Sequence, residues 1–342
     1  MKITCSQLQE AVSKGILQPG QDLQLWQFLQ QQQQDVAQFK AAHLLYYFGG
    51  VLAIAAMSLF MSLSHEFYGG TGLAALAFFY ALLGLMLAEQ QRQRQQPLLT
   101  GIFATFALVQ TPLFVFGLLL GYGLWDNRDY QQYHQWIDAR WLWIELATLL
   151  ASAVALYRYR LPFLVMPVAV TLWYLGMDLA PLLLQDLDPN WQQRKWVAVG
   201  WGLLTLSLAF YVDLRNRRPA DFAFWLYLSG LMSFWGGLTA MESDSETGKA
   251  IYAAINIGLL LIGVALARRV FAVFGAFGVL IYLSHLAFDL FADSNWFPLV
   301  LCAIGFAVIY AGVLWQRHEA RWSAALQRRL PAPIQQLVAR RS

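Results

Sequence analysis

Charge is scarce in this chain: 13% of its 342 residues are Asp, Glu, Lys or Arg, against about a quarter in ordinary soluble domains. So little charge cannot solvate the surface of a soluble protein of this size. Cysteine is nearly missing too. Cys5 sits in a polar tail and Cys302 in an apolar run, so neither a disulfide framework nor a thiolate metal cluster can be built from them. Both read as free packing residues. There is no HExxH, no GxSxG and no paired cysteine, which removes the usual signatures of zinc and serine hydrolases. A net charge of +3, with arginines spread over short turns, speaks against a nucleic-acid surface. No cofactor is expected. The first forty residues are polar and glutamine-rich, and the first apolar stretch begins near Leu44. No cleavable signal peptide is therefore expected, and that stretch should remain as a first membrane span.

What is present is hydrocarbon and aromatic surface: 58% of residues are hydrophobic, and there are 14 tryptophans. Tryptophan at this density suits a chain that crosses many bilayer interfaces. A spanning helix needs about 20 apolar residues. Ten windows qualify: 44–63, 70–88, 98–121, 141–157, 161–184, 196–212, 222–241, 250–267, 270–291 and 296–316. The expected fold is therefore all-α and polytopic, with ten transmembrane helices and both termini cytoplasmic. With that orientation eighteen of the 23 basic residues fall on the inner side, among them Arg92, Arg94, Arg158, Arg160, Arg268 and Arg269. Every inner turn is then basic, as the bias of Lys and Arg toward the cytoplasm requires.

Short strings recur near aromatic positions: "LLYYFGG" at 44–50, "LWYLGM" at 172–177, "WLYLSG" at 225–230 and "LIYLSH" at 280–285. An offset of 108 places Arg160 on Arg268 and Tyr174 on Tyr282, a pattern that suits a duplicated helical hairpin. Apolar helices also resemble one another by composition, so chance similarity remains open.

Three domains follow. Residues 1–43 form a cytosolic helical segment, read as two helices broken at Pro19-Gly20; it is a cap on the membrane domain or a docking surface for a protein partner. Residues 44–316 form the membrane domain. Residues 317–342 set Trp322, Leu326 and Leu330 against Arg321, Arg328 and Arg329. Such a basic amphipathic tail should lie on anionic lipids of the inner leaflet.

The stretches "LQEAVSKGILQPGQDLQLW", "LLYYFGGVLAIAAMSLFM" and "YRLPFLVMPVAVTLWYLGMDLAP" resemble a family of uncharacterised bacterial multi-pass membrane proteins with a short cytosolic N-terminal segment. The resemblance implies a bacterial inner-membrane location. It implies no activity.

One segment stands apart. Residues 164–184, "LVMPVAVTLWYLGMDLAPLLL", carry Asp178 in an apolar run, flanked by Pro167, Gly176 and Pro181. A charged acid in hydrocarbon costs about 2.5–3.5 kcal/mol on insertion scales and normally faces the protein interior. The prolines predict a kinked or interrupted helix lining a wet cavity. Glu145, His285 and Asp289 fall at a similar depth, with Tyr174 and Tyr282 within one turn of Asp178 and His285. His285 and Asp289, four residues apart, share a helix face. These six residues are the candidate substrate- or ion-binding set of an outward-facing polar cavity, with the 123–140 loop folding over it. Plainer readings stand beside it: Asp289 ending its helix in the headgroups, Glu145 pairing with Arg140, His285 as neutral packing, Asp178 as a structural hydrogen-bonding group. Gly117 and Gly121, Gly49-Gly50, Gly200, Gly202, Gly236 and Gly237 suggest close helix packing, and Asn256 suggests interhelical hydrogen bonding.

The function that fits best is a transporter-like activity. The alternative is a non-catalytic membrane partner or regulator of another complex. An intramembrane hydrolase holding a metal through one histidine and three carboxylates is the third reading.

Overall fold

The computed structural model describes residues 8, 11–18, 20–25, 41–125, 140–184, 190–216, 220–241 and 245–286, with single positions beyond; at 41–44, 57–58, 60–67 and 181–183 it describes the backbone alone. Every element among these residues is helical. The order is α1 (Ala41–Gln93), α2 (Pro97–Gly121), α3 (Arg140–Tyr159), a 3-10 turn (Pro162–Leu164), α4 (Val165–Leu184), α5 (Trp191–Arg215), α6 (Phe224–Ala240), α7 (Glu246–Ala265) and α8 (Arg269–His285). Six stretches are long and apolar enough to cross a membrane: Tyr68–Gln93, Pro97–Gly121, Arg140–Tyr159, Pro162–Ala180, Trp191–Arg215 and Glu246–Ala265. Leu45–Ala56 and Arg269–His285 are shorter apolar helices. The last expected window, 296–316, and the basic tail lie largely outside the described residues. In the N-terminal segment, helical residues 11–13 and 21–25 flank a break that contains Gly20 at φ 91°.

Fifty-three residues of α1 do not make one rod, because Gly69 holds φ 63° and ψ −169°. Only glycine takes that backbone shape without strain. A Cβ placed on Gly84 would lie 3.0 Å from the Ala107 side chain, and one on Gly70 would lie 2.8 Å from Gly117 O. The second arm of α1 thus runs antiparallel to α2. A straight helix would carry Gly50 about 30 Å beyond Gly70, yet a Cβ on Gly50 would meet Ile102 Cγ2 at 3.0 Å. The chain therefore reverses at Gly69, and both arms flank α2.

Small residues set the closest approaches. Gly117 and Gly121 pack against Gly70, Thr71 and Ala74, where a Cβ on Gly117 would stand 2.7 Å from Ala74 N. Gly50, Gly202 and Gly237 also face neighbouring helices at contact distance, whereas Gly49, Gly200 and Gly236 face open space. Asn256 is fully buried: it donates to Tyr252 O (2.8 Å) and accepts from Trp235 Nε1 (3.0 Å). That bond ties α6 to α7, the interhelical role expected of it.

Among the described residues three apolar clusters organise the bundle, a small one around Leu73 and Ala77 between α1 and α2 and two larger ones. Ala88, Ala104, Leu108, Ala155 and Leu164 join α1, α2 and α3 near the 3-10 turn. Val165, Ala169, Ala209, Leu226, Tyr227, Leu231, Leu259 and Phe271 join α4 to the four helices that follow. α4 lies between the two halves, packed on α3, α5 and α6.

Candidate functional site

α3 and α4 form a hairpin turned at Arg160, which holds φ 54°. Glu145, Thr148, Ser152 and Ala155 are buried along one side of α3. Their spacing of three or four residues keeps them on one face. Asp178 and Thr171 lie seven residues apart on α4 and so share a face two turns long.

The two faces meet at their acids. The carboxyl groups of Glu145 and Asp178 lie within hydrogen-bonding reach of each other. Glu145 is 5% exposed and Asp178 half-buried. Neither Glu145 oxygen accepts a hydrogen bond from an N–H or O–H group among the described residues. Arg140 does not supply one: it donates to Leu124 O at 2.8 Å, and its guanidinium lies over the Trp125 ring at 5.3 Å. Two carboxylates in contact with no cation between them repel in a medium of low polarity, and one shared proton relieves the repulsion. The pair can therefore take up and release a proton, or hold a small cation. Trp125, itself buried, crosses Trp141 edge-to-face at 4.9 Å and Phe116 at 5.2 Å. Trp141 is one turn from Glu145 on α3.

The other candidates are placed elsewhere. His285 Nε2 lies 3.2 Å from both Glu246 carboxylate oxygens, tying the end of α8 to the start of α7. Tyr174 is 43% exposed with its ring against Trp173, and Tyr282 is half-buried on α8. Asp289 and the loop residues 126–139 lie outside the described residues. The structure thus brings together Glu145 and Asp178 of the six, and it separates His285 from them. Among the described residues no three His, Cys, Asp or Glu side chains converge as a metal site.

The helix carrying Asp178 is not interrupted, contrary to expectation: α4 is helical from Val165 to Leu184. Pro167 stands in the first turn, where its missing N–H has no helical partner to lose. Pro181 falls in the last turn, so one bond near the helix end is all it removes. Gly176 admits the Trp201 ring instead, and Trp201 Nε1 donates to Leu172 O at 2.7 Å.

A second acidic site went unseen in the sequence. At the opposite end of the bundle, Arg268 donates to Asp213 Oδ1 (2.9 Å) and Oδ2 (3.3 Å) and to both oxygens of Asp221, at 2.9 Å for Oδ1. Tyr227 Oη donates to Asp213 Oδ2 at 3.2 Å, and the guanidinium lies 4.9 Å from the Tyr227 ring centre. Arg268, Asp213 and Tyr227 are 5%, 4% and 1% exposed. Burial works against the Arg268 charge, but the hydrogen bonds and charge of Asp221 and Asp213 outweigh it and hold the guanidinium above its ordinary pKa. Counting basic residues assigned Arg268 to topology alone. The missed signal was the pair of acids, Asp213 and Asp221, in segments otherwise rich in arginine. Arg160, its partner in the offset of 108, is exposed.

Comparison of the chain with family models, with curated proteins and with solved structures finds no match. The functional reading therefore rests on the two acidic sites themselves.

Proposed function

We propose that this is a transporter-like protein of the bacterial inner membrane, with ten membrane helices, both termini in the cytoplasm, and a proton- or cation-binding site at Glu145 and Asp178. One observation carries the reading: a carboxyl pair between α3 and α4, Glu145 buried and Asp178 half-buried, with no cationic partner among the described residues. Such a pair is expensive in hydrocarbon and serves no evident packing purpose, whereas proton relays in membranes are built from acids held in this way. In the proposed orientation the pair lies toward the extracytoplasmic ends of α3 and α4. The buried Arg268 cluster then closes the cytoplasmic ends of α5, α6 and α8. Trp125 and Trp141 would cover the pair from outside, and a shift of that aromatic group would admit the ion.

Solid-supported-membrane electrometry on proteoliposomes tests it. A jump in external pH should displace charge in the wild type, and Asp178→Asn or Glu145→Gln should abolish the signal while the protein still elutes as one species. A wild-type response no larger than that of empty liposomes would remove the transport reading and leave the membrane-partner alternative.

A further inference from the structure

The contact between Glu145 and Asp178 fixes the register of the α3–α4 hairpin. Moving seven residues along each helix toward the turn brings Ser152 level with Thr171, about 10 Å from the acids. The same register brings Tyr159 level with Leu164, where the chain turns. Ser152 has no exposure, and its Oγ has no hydrogen-bond partner among the described residues. Thr171, at the same level with 9% exposure, spends its proton on Pro167 O at 2.9 Å, leaving oxygen lone pairs free to accept. A hydroxyl with nothing to bond inside a membrane helix pair is costly. Internal water commonly satisfies such groups.

Beyond Ser152 the seam is apolar, Ala155 and Leu164 clustering with Ala88 and Ala104. It then reaches Tyr159 and Arg158, whose guanidinium lies 5.7 Å from the Tyr159 ring and bonds Glu89 Oε1 at 3.0 Å. Polar groups thus recur at both ends and at the midpoint of the seam. The stretch between Ser152 and Tyr159 is an apolar step.

We infer that the α3–α4 seam holds water on Ser152 and Thr171 and forms the inward route for a proton leaving Glu145 and Asp178, delivering it at the Glu89–Arg158 end. The inference rests on reading the acid pair as a proton site. One proton leaves the carboxyl pair, water at Ser152 relays it by accepting one proton and donating another, and one proton emerges at the far end, with no other bond made or broken.

Two arms test it. In a background with Cys5→Ser and Cys302→Ser, Ser152→Cys should react with 2-aminoethyl methanethiosulfonate at least about tenfold faster than Leu150→Cys, since the thiolate that reacts forms only where water reaches it. Leu150 is 69% exposed on the far side of α3 and serves as the lipid-facing control. A rate at Ser152→Cys equal to the control would show a dry seam and overturn the inference, whatever the acid pair does. In the second arm Ser152→Val, or Ser152→Ala if the valine variant does not fold, should keep the charge displacement at Glu145 and Asp178 but lower steady proton flux across the bilayer at least about tenfold. Unchanged flux would overturn the route. Loss of the displacement in the wild type would instead remove the proton site, a failure distinguishable from a dry seam.

Discussion

Two pairs of carboxyl groups stand out among the described residues, Asp213 with Asp221 on the Arg268 guanidinium and Glu145 with Asp178 beside no cation; Asp213 and Glu145 are buried, Asp178 is half-buried and Asp221 is exposed. Asp213 and Asp221 come from the end of α5 and the turn after it, and Arg268 reaches both with four N–H···O contacts. Glu145 and Asp178 come from adjacent helices and face each other with no cationic partner among the described residues. What separates the two pairs is therefore the guanidinium. A guanidinium locked between two acids, with Tyr227 bonded to one of them and stacked under the charge, is a clamp that holds the buried Asp213 carboxylate in its ionised form. Two acids with no cation beside them among the described residues are, in the proposed function, a charge that a mobile ion changes.

Replacing Arg268 breaks the comparison most severely. Arg268→Met should cost about 3–5 kcal/mol by stranding a buried carboxylate, seen as a large drop in the thermal midpoint in detergent. Arg268→Lys should fall between, because an ammonium cannot bridge two carboxylates in parallel. Asp178→Asn has the opposite sign. It removes one of two repelling charges, so its unfolding midpoint should equal or exceed the wild type even as charge displacement is lost. An Asp178→Asn variant as unstable as Arg268→Met would show the second pair to be structural as well. Tyr227→Phe keeps the ring but deletes the hydrogen bond to Asp213, and should cost about 1–2 kcal/mol in the same denaturation assay. Glu89→Gln, at a half-exposed ion pair with Arg92 and Arg158, should cost at most about 1 kcal/mol, measured the same way.

These differences also explain which features could be read from the sequence. Helical class and most element positions follow from apolar run length, and the reversal at Gly69 separates two expected windows that the helix assignment joins. Asp178 was conspicuous because an acid in "YLGMDLAP" violates the pattern around it, and Glu145 because its helix position matched in depth. The pairing of Glu145 with Asp178 was legible because a short turn forces a hairpin and depth then fixes register. Placing His285 beside them needed knowledge of how α8 packs, which depth alone does not contain, and His285 sits on Glu246 instead. Asp213 and Asp221 were hidden among arginines that a topological count treats as one class. Their meaning depends on Arg268, some fifty residues away, and on Tyr227 from a third helix. Ser152 was invisible for a different reason: a serine in an apolar helix normally bonds its own backbone, as Thr148 does with Ile144 O at 2.7 Å.

The claim that the uncompensated acids hold an exchangeable proton is tested most directly by infrared difference spectroscopy across a pH step. The protonated-carboxyl band that appears or disappears should be lost in both Asp178→Asn and Glu145→Gln and should persist in Asp221→Asn. A band unaffected by the first two substitutions, or removed by the third alone, would contradict the account.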